Sequence, residues 1–169
     1  MQMGWKKQLK KKLPKVLEKM NWKFADQQTV NEHNMSYEYY LQAHLNQEAE
    51  EIQTEKILSI FREYIKKRGE NFIDIEFDDA NSCTIYIDTD EPTASHLMVS
   101  RPCGGKLGEC IYQVMQLGNF VFFEPDGKSA IILTEETSNH LPEDMIEALG
   151  PPLIAGNKEA FLELYATNR

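Results

Sequence analysis

The sequence predicts an α+β fold: N-terminal helices followed by a mainly antiparallel sheet of about five strands, covered by helices. Three observations carry that expectation. Asn119 to Thr134, NFVFFEPDGKSAIILT, places Phe120–Phe123 and Ala130–Leu133 on either side of Pro125-Asp126-Gly127. Two β-prone apolar runs around such a turn read as a hairpin. Successive strand side chains point to opposite faces, so a continuous apolar run needs cover on both, which sets this hairpin in the middle of the sheet. Phe72–Phe77 and Cys83–Asp88 alternate instead: Ile73, Ile75 and Phe77 against Asp74 and Glu76, then Cys83, Ile85 and Ile87 against Thr84, Tyr86 and Asp88. That pattern is a second hairpin, buried on one face only. The third observation is helical spacing, in Tyr37–Arg68 and again in Lys106–Leu117.

From the start of the chain, residues 5–24 set Trp5, Leu9, Leu13, Val16, Leu17 and Met20 at helical spacing among lysines, with Pro14 as a break. Residues 1–24 are therefore expected to form a basic amphipathic arm or helix, and 25–169 a single acidic α+β domain. Such an arm docks its apolar stripe on the domain; the weaker alternative is surface contact with an anionic membrane. Residues 25–35 are polar and loop-like, and Asn34-Met35-Ser36 matches a glycosylation sequon that a cytosolic chain would not use. Ser36 can cap a helix running to Arg68, with apolar positions Tyr37, Leu41, Leu45, Ala49 and Ile52. The stripe resumes at Ile57, Ile60, Phe61, Tyr64 and Ile65 after a phase shift near Thr54, so this is one long helix or two in line, and Lys66, Lys67, Arg68 and Gly69 read as its end. Ser95–Ser100 is a short strand, Pro142 opens a helix ending at Gly150, Leu153-Ile154-Ala155 adds a strand, and Asn157 caps the last helix.

Charge is unevenly spread. Residues 1–24 hold eight lysines and one acid, a net +7, while the remainder carries −16 of the overall −9. A body of that sign repels phosphates, which argues against sequence-specific nucleic-acid binding. No run approaches the roughly 20 apolar residues of a membrane helix, and no apolar segment of signal-peptide type follows the lysines. The three cysteines are odd in number and form no disulfide framework, which places the chain in the cytoplasm with reduced thiols.

Chemistry-bearing residues concentrate in two stretches. Between Gly69 and Ser100 there are eight carboxylates and no Lys or Arg. Asp74, Glu76, Asp78, Asp79, Asp88, Asp90 and Glu91 are the candidate partner-binding set, since such a field draws a basic protein and speeds encounter. The corresponding function is a non-enzymatic binding module, of the immunity-protein or inhibitor kind. The other stretch is RPCGGKLGEC, where Cys103 stands just ahead of a helix near Arg101 and Lys106. With His96 or His140 as base, it could serve a cysteine-dependent hydrolase or transferase, the alternative reading. No cofactor or metal is expected. Cys83, Cys103, Cys110 and the four histidines show no paired zinc spacing, the acids lack the glycine and terminal Glu of a calcium loop, and Gly104-Gly105-Lys106 lacks a full phosphate loop.

Overall fold

A computed structural model describes residues 37–124 and 129–167. The basic arm of residues 1–24, the polar stretch 25–35 with its sequon, the Ser36 cap and the turn at 125–128 lie outside the described residues. The chain runs β1 (Glu38–Leu45), β2 (Glu48–Ala49), β3 (Ile52–Gln53), α1 (Thr54–Phe61), a 3-10 turn (Arg62–Tyr64) and β4 (Ile65–Arg68). It continues through β5 (Phe72–Asp78), β6 (Asn81–Tyr86), β7 (Thr93–Ala94), β8 (His96–Ser100), α2 (Gly105–Met115) and β9 (Phe120–Phe123). β10 (Ile131–Ile132), α3 (Glu135–Ser138), α4 (Glu143–Leu149), β11 (Leu153–Ile154) and α5 (Lys158–Thr167) complete it.

Among the described residues the main sheet has nine strands in the order β11-β10-β9-β1-β8-β6-β5-β4, with β2 paired to β1. β3 and β7 form a separate two-stranded ribbon. All neighbours are antiparallel except β10 and β11, which are parallel. The α+β class is as expected, but the sheet is larger than five strands and mixed.

The expected helix over residues 37–53 is a strand hairpin instead. Tyr37, Leu41 and Leu45 step by four, which satisfies a period of two as well as 3.6; Tyr39 and Ala43, between them, decide for the strand. Tyr39, Leu41 and Ala43 join one buried cluster while Tyr40, on the reverse side, joins the other. Asn46 and Gln47, both at positive φ (52° and 69°), make the two-residue turn into β2. That is the backbone a tight hairpin requires, written here without glycine. Lys66, Lys67 and Arg68 end no helix. They form β4 at the sheet edge, where charged side chains discourage edge-to-edge association.

The Phe120–Phe123 run is buried on both faces, as its composition demands, and pairs antiparallel with β10 through Phe122 and Ile131. It does not occupy the middle of the sheet: β1 and β8 do, and β9 is third from one end. One sheet face builds the larger core, Tyr39, Leu41, Ile73, Ile75, Ile85, Leu97, Val99 and Phe122 meeting Phe61 of α1, Ile111 of α2 and Phe161 of α5. The other face is covered by α4 at the β9–β10 end, where Tyr40, Val121, Phe123 and Ile132 meet Met145. The β5–β6 hairpin forms as expected, with Ile73 paired to Ile85 and Ile75 to Cys83 on its apolar face. Among the described residues no helix is long and apolar enough to cross a membrane.

Candidate functional site

The carboxylates of the β5–β6 region fall into three groups once folded. On the outward face of the hairpin, Asp74 accepts a hydrogen bond from Thr84 Oγ1 at 2.8 Å, and Arg101 Nη2 donates to the same hydroxyl at 3.2 Å. Glu76 pairs with Lys66 of β4 at 3.0 Å. The pair is largely exposed and contributes about 0–1 kcal/mol. β4 therefore brings cations alongside an acid window that holds none in the linear sequence; Lys67 stands opposite Asp74 in the strand register.

At the hairpin turn, Asp78 accepts from the Asn81 amide at 2.8 Å and from the Ala80 backbone N–H at 2.9 Å. The Asn81 amide foremost, then that N–H, holds the Asp78 carboxyl below the usual carboxylate range. Asp79 is exposed beside it.

The third group lies at the opposite end of the hairpin. Thr89 is 5% exposed and pins the loop after β6: its backbone N–H donates to Glu70 O, its hydroxyl to Gly69 O, and its carbonyl accepts from Arg68 Nη2 at 2.8 Å. Asp88, Asp90 and Glu91, on either side of this anchor, are exposed. The loop also meets the start of α1, where Thr54 N–H donates to Pro92 O, and the segment before it, where Thr93 Oγ1 donates to Glu51. Glu51, Glu70, Asp88, Asp90 and Glu91 thus gather at one acidic pole, and among the described residues none of them makes an ion pair. The contribution of Glu51 is invisible in sequence because it comes from a separate segment, whereas Glu70 lies within the acidic window itself.

Cys103 lies in the loop between β8 and α2. Arg101 turns the chain there in the left-handed region (φ 56°), held by its N–H to Tyr37 O and its guanidinium to Thr84. The Cys103 carbonyl accepts from Tyr165 Oη at 3.1 Å. Its thiol is in hydrogen-bond contact with the Cys83 thiol, and Cys110 stands close to both. That contact first, then burial, pushes the Cys83 thiol pKa strongly up. Burial raises Cys110 to about 11 against the opposing pull of Lys106.

Neither histidine expected as a base is brought to Cys103. His96 opens β8, opposite Gln42, five residues before Arg101, roughly 16 Å along an extended strand. It shares its sheet face with Met98, whereas Cys83 belongs to the reverse face. His140 accepts the Asn46 N–H on Nδ1 at 3.2 Å and the Gln47 N–H on its carbonyl at 2.9 Å, so it closes the β1–β2 turn. Glu38 pairs with Ser100, which puts Asn46 at the far end of β1 from the Cys103 loop, roughly 26 Å away. A cleft of about 430 Å³ between α2 and α3, lined by Tyr112, Gln116, Asn119, Thr134 and Thr137 among others, has no charged side chain in its wall.

Gln42 and His44, buried polar side chains on β1, escaped sequence reading because that stretch read as helix. His44 is driven down to about 4 by burial, against the Glu48 carbonyl and the Asp144 and Glu50 carboxylates, which pull the other way. Fold and site together define a class: a mixed-sheet α+β domain with one acid-rich end and a cluster of thiols. The chain matches no protein-family model, no curated protein and no solved structure.

Proposed function

We propose that the chain is a non-enzymatic protein-binding module, of the immunity or inhibitor kind, that takes a basic protein partner on its acidic surface in the cytoplasm. The observation that supports this is the pole around Thr89: Asp88, Asp90 and Glu91 are exposed and make no ion pair among the described residues, while the loop that carries them is tied down. Carboxylates held on an ordered loop lose little freedom on binding, and a field of one sign accelerates encounter with a cationic surface. Asp78 and Asp79 extend the surface at the other end of the hairpin. Asp74 and Glu76 belong to the same set with smaller shares, because Thr84 and Lys66 already engage them.

The test is affinity capture from native lysate with the full chain, with Asp88→Asn/Asp90→Asn/Glu91→Gln, and with Glu76→Gln. The reading expects a basic protein recovered stoichiometrically by the unaltered chain, bound roughly tenfold or more weakly by the triple variant, and nearly as well by Glu76→Gln. Recovery unaffected by the triple variant, or no stoichiometric basic protein at all, would count against it.

A further inference from the structure

The three cysteines, Cys83 on β6, Cys103 in the loop before α2 and Cys110 on α2, all belong to or pack against the same core cluster. Cys83 and Cys110 are 3% and 2% exposed within the main core, and Cys103 is half-buried and packs against that core. The loop approaches β6 on both sides of Cys103. Before it, Arg101 reaches Thr84; after it, a Cβ added at Gly104 would stand 3.0 Å from Asn81 Oδ1. Asn81 and Cys83 alternate onto the same side of β6, and Cys103 packs against the core cluster that holds Cys83, its side chain the foremost influence on that thiol. Among the described residues no three side chains are arranged to hold a metal ion, which leaves pairwise sulfur chemistry.

We propose that Cys83 and Cys103 are a reversible disulfide site oxidised by hydroperoxides. Cys103, the more accessible thiol, attacks the peroxide: its S–O bond forms as the O–O bond breaks, and the leaving oxygen departs as water or an alcohol with the thiol proton. Cys83 then attacks the sulfenic sulfur of Cys103. The S–S bond forms as the S–O bond breaks, and the departing hydroxide takes the Cys83 proton and leaves as water. The two thiols supply the two electrons that reduce the peroxide. Burial of Cys83 keeps it from direct oxidation and reserves it for resolving Cys103. The bridge fastens the Arg101–Gly104 loop to β6, one strand of the acidic hairpin, so oxidation stiffens the edge of that surface.

The experiment treats the reduced full chain with hydrogen peroxide, counts free thiols after denaturation and maps the cross-link by peptide mass. The expected result is a monomer whose thiols fall from three to one, with Cys83 joined to Cys103 and full recovery on adding dithiothreitol. Cys110→Ser should bridge as the unaltered chain does, and Cys103→Ser, at a half-buried loop position that spares the fold, should not bridge. In Cys83→Ala, Cys103 should stop at sulfenic acid and be trapped by dimedone. A Cys103–Cys110 bridge, a bridge between two copies, sulfinic acid at Cys103 with Cys83 still free, or three surviving thiols would each overturn the proposal.

Discussion

Gln42 sits on β1 at 1% exposure with neither its amide nitrogen nor its amide oxygen hydrogen-bonded. Leaving buried polar atoms without partners costs about 1–3 kcal/mol, more than an ordinary hydrogen bond contributes. Methionine has a similar shape and no such atoms, so Gln42→Met should raise stability by about 1 kcal/mol or more. Chemical denaturation reads it directly, and an unchanged or lower midpoint would mean the amide is satisfied after all. Two residues on, His44 makes a pH prediction. It titrates at about 4 when folded and at 6.5 in the unfolded chain. Between those values the unfolded chain binds the extra proton, so acid favours unfolding. The stabilisation is complete above pH 6.5, declines as pH falls, and is spent by about 4, a loss on the order of 3 kcal/mol. His96 is also lowered, by burial against the pull of Glu51, and adds slope in the same direction. In His44→Gln the stability profile across that window should flatten to the His96 share; a slope equal to that of the unaltered chain would refute the assignment.

The packing of α2 against α5 turns on Gly108, whose added Cβ would lie 2.9 Å from the Tyr165 ring and 3.1 Å from Leu162. Alanine gains about 1 kcal/mol of helix propensity over glycine. Against that stands overpacking of a nearly closed aromatic cluster, typically about 1–3 kcal/mol. Tyr165 cannot easily yield, being 2% exposed and in contact with Tyr39, Phe122 and Phe161. Gly108→Ala should therefore destabilise by about 1 kcal/mol, measured by thermal unfolding. Stabilisation would show that the ring moves aside freely. At this scale α2 was legible from its helical spacing, the β5–β6 hairpin from its alternation, the β9–β10 pair from its two apolar runs, and α4 and α5 from their start signals at Pro142 and Asn157. β1 and β4 were not. In β1, Tyr37, Leu41 and Leu45 fit two periods at once, and cover on both faces erased the polar alternation that identifies a strand. In β4, Ile65 to Arg68 resembles a helix end because cations suit both a helix C-terminus and an exposed sheet edge.

Over the whole molecule, the acidic surface was legible as a stretch of sequence but not as a field. Strand pairing lays the Lys66–Arg68 segment beside Asp74 and Glu76, which reduces the field on the hairpin face. Chain return brings Glu51 and Glu70 to Asp88, Asp90 and Glu91, which strengthens it at the pole. Like charges gathered without partners repel, so the pole should cost the fold stability. This repulsion acts through solvent and is screened within about 8–10 Å at moderate salt and about 3 Å at 1 M. Asp88→Asn/Asp90→Asn/Glu91→Gln should then be more stable than the unaltered chain by about 0.5–1 kcal/mol at low salt, and the gain should vanish toward 1 M salt. Denaturant melts over a salt series measure both. The salt dependence separates the sources: a gain that persists at high salt would point to altered loop contacts around Thr89 instead of charge. A loss of stability at low salt would mean that the acids are internally compensated, and the case for an acidic docking surface would weaken with it. A gain that disappears with salt would identify a surface held against its own repulsion, as a site for an oppositely charged partner must be.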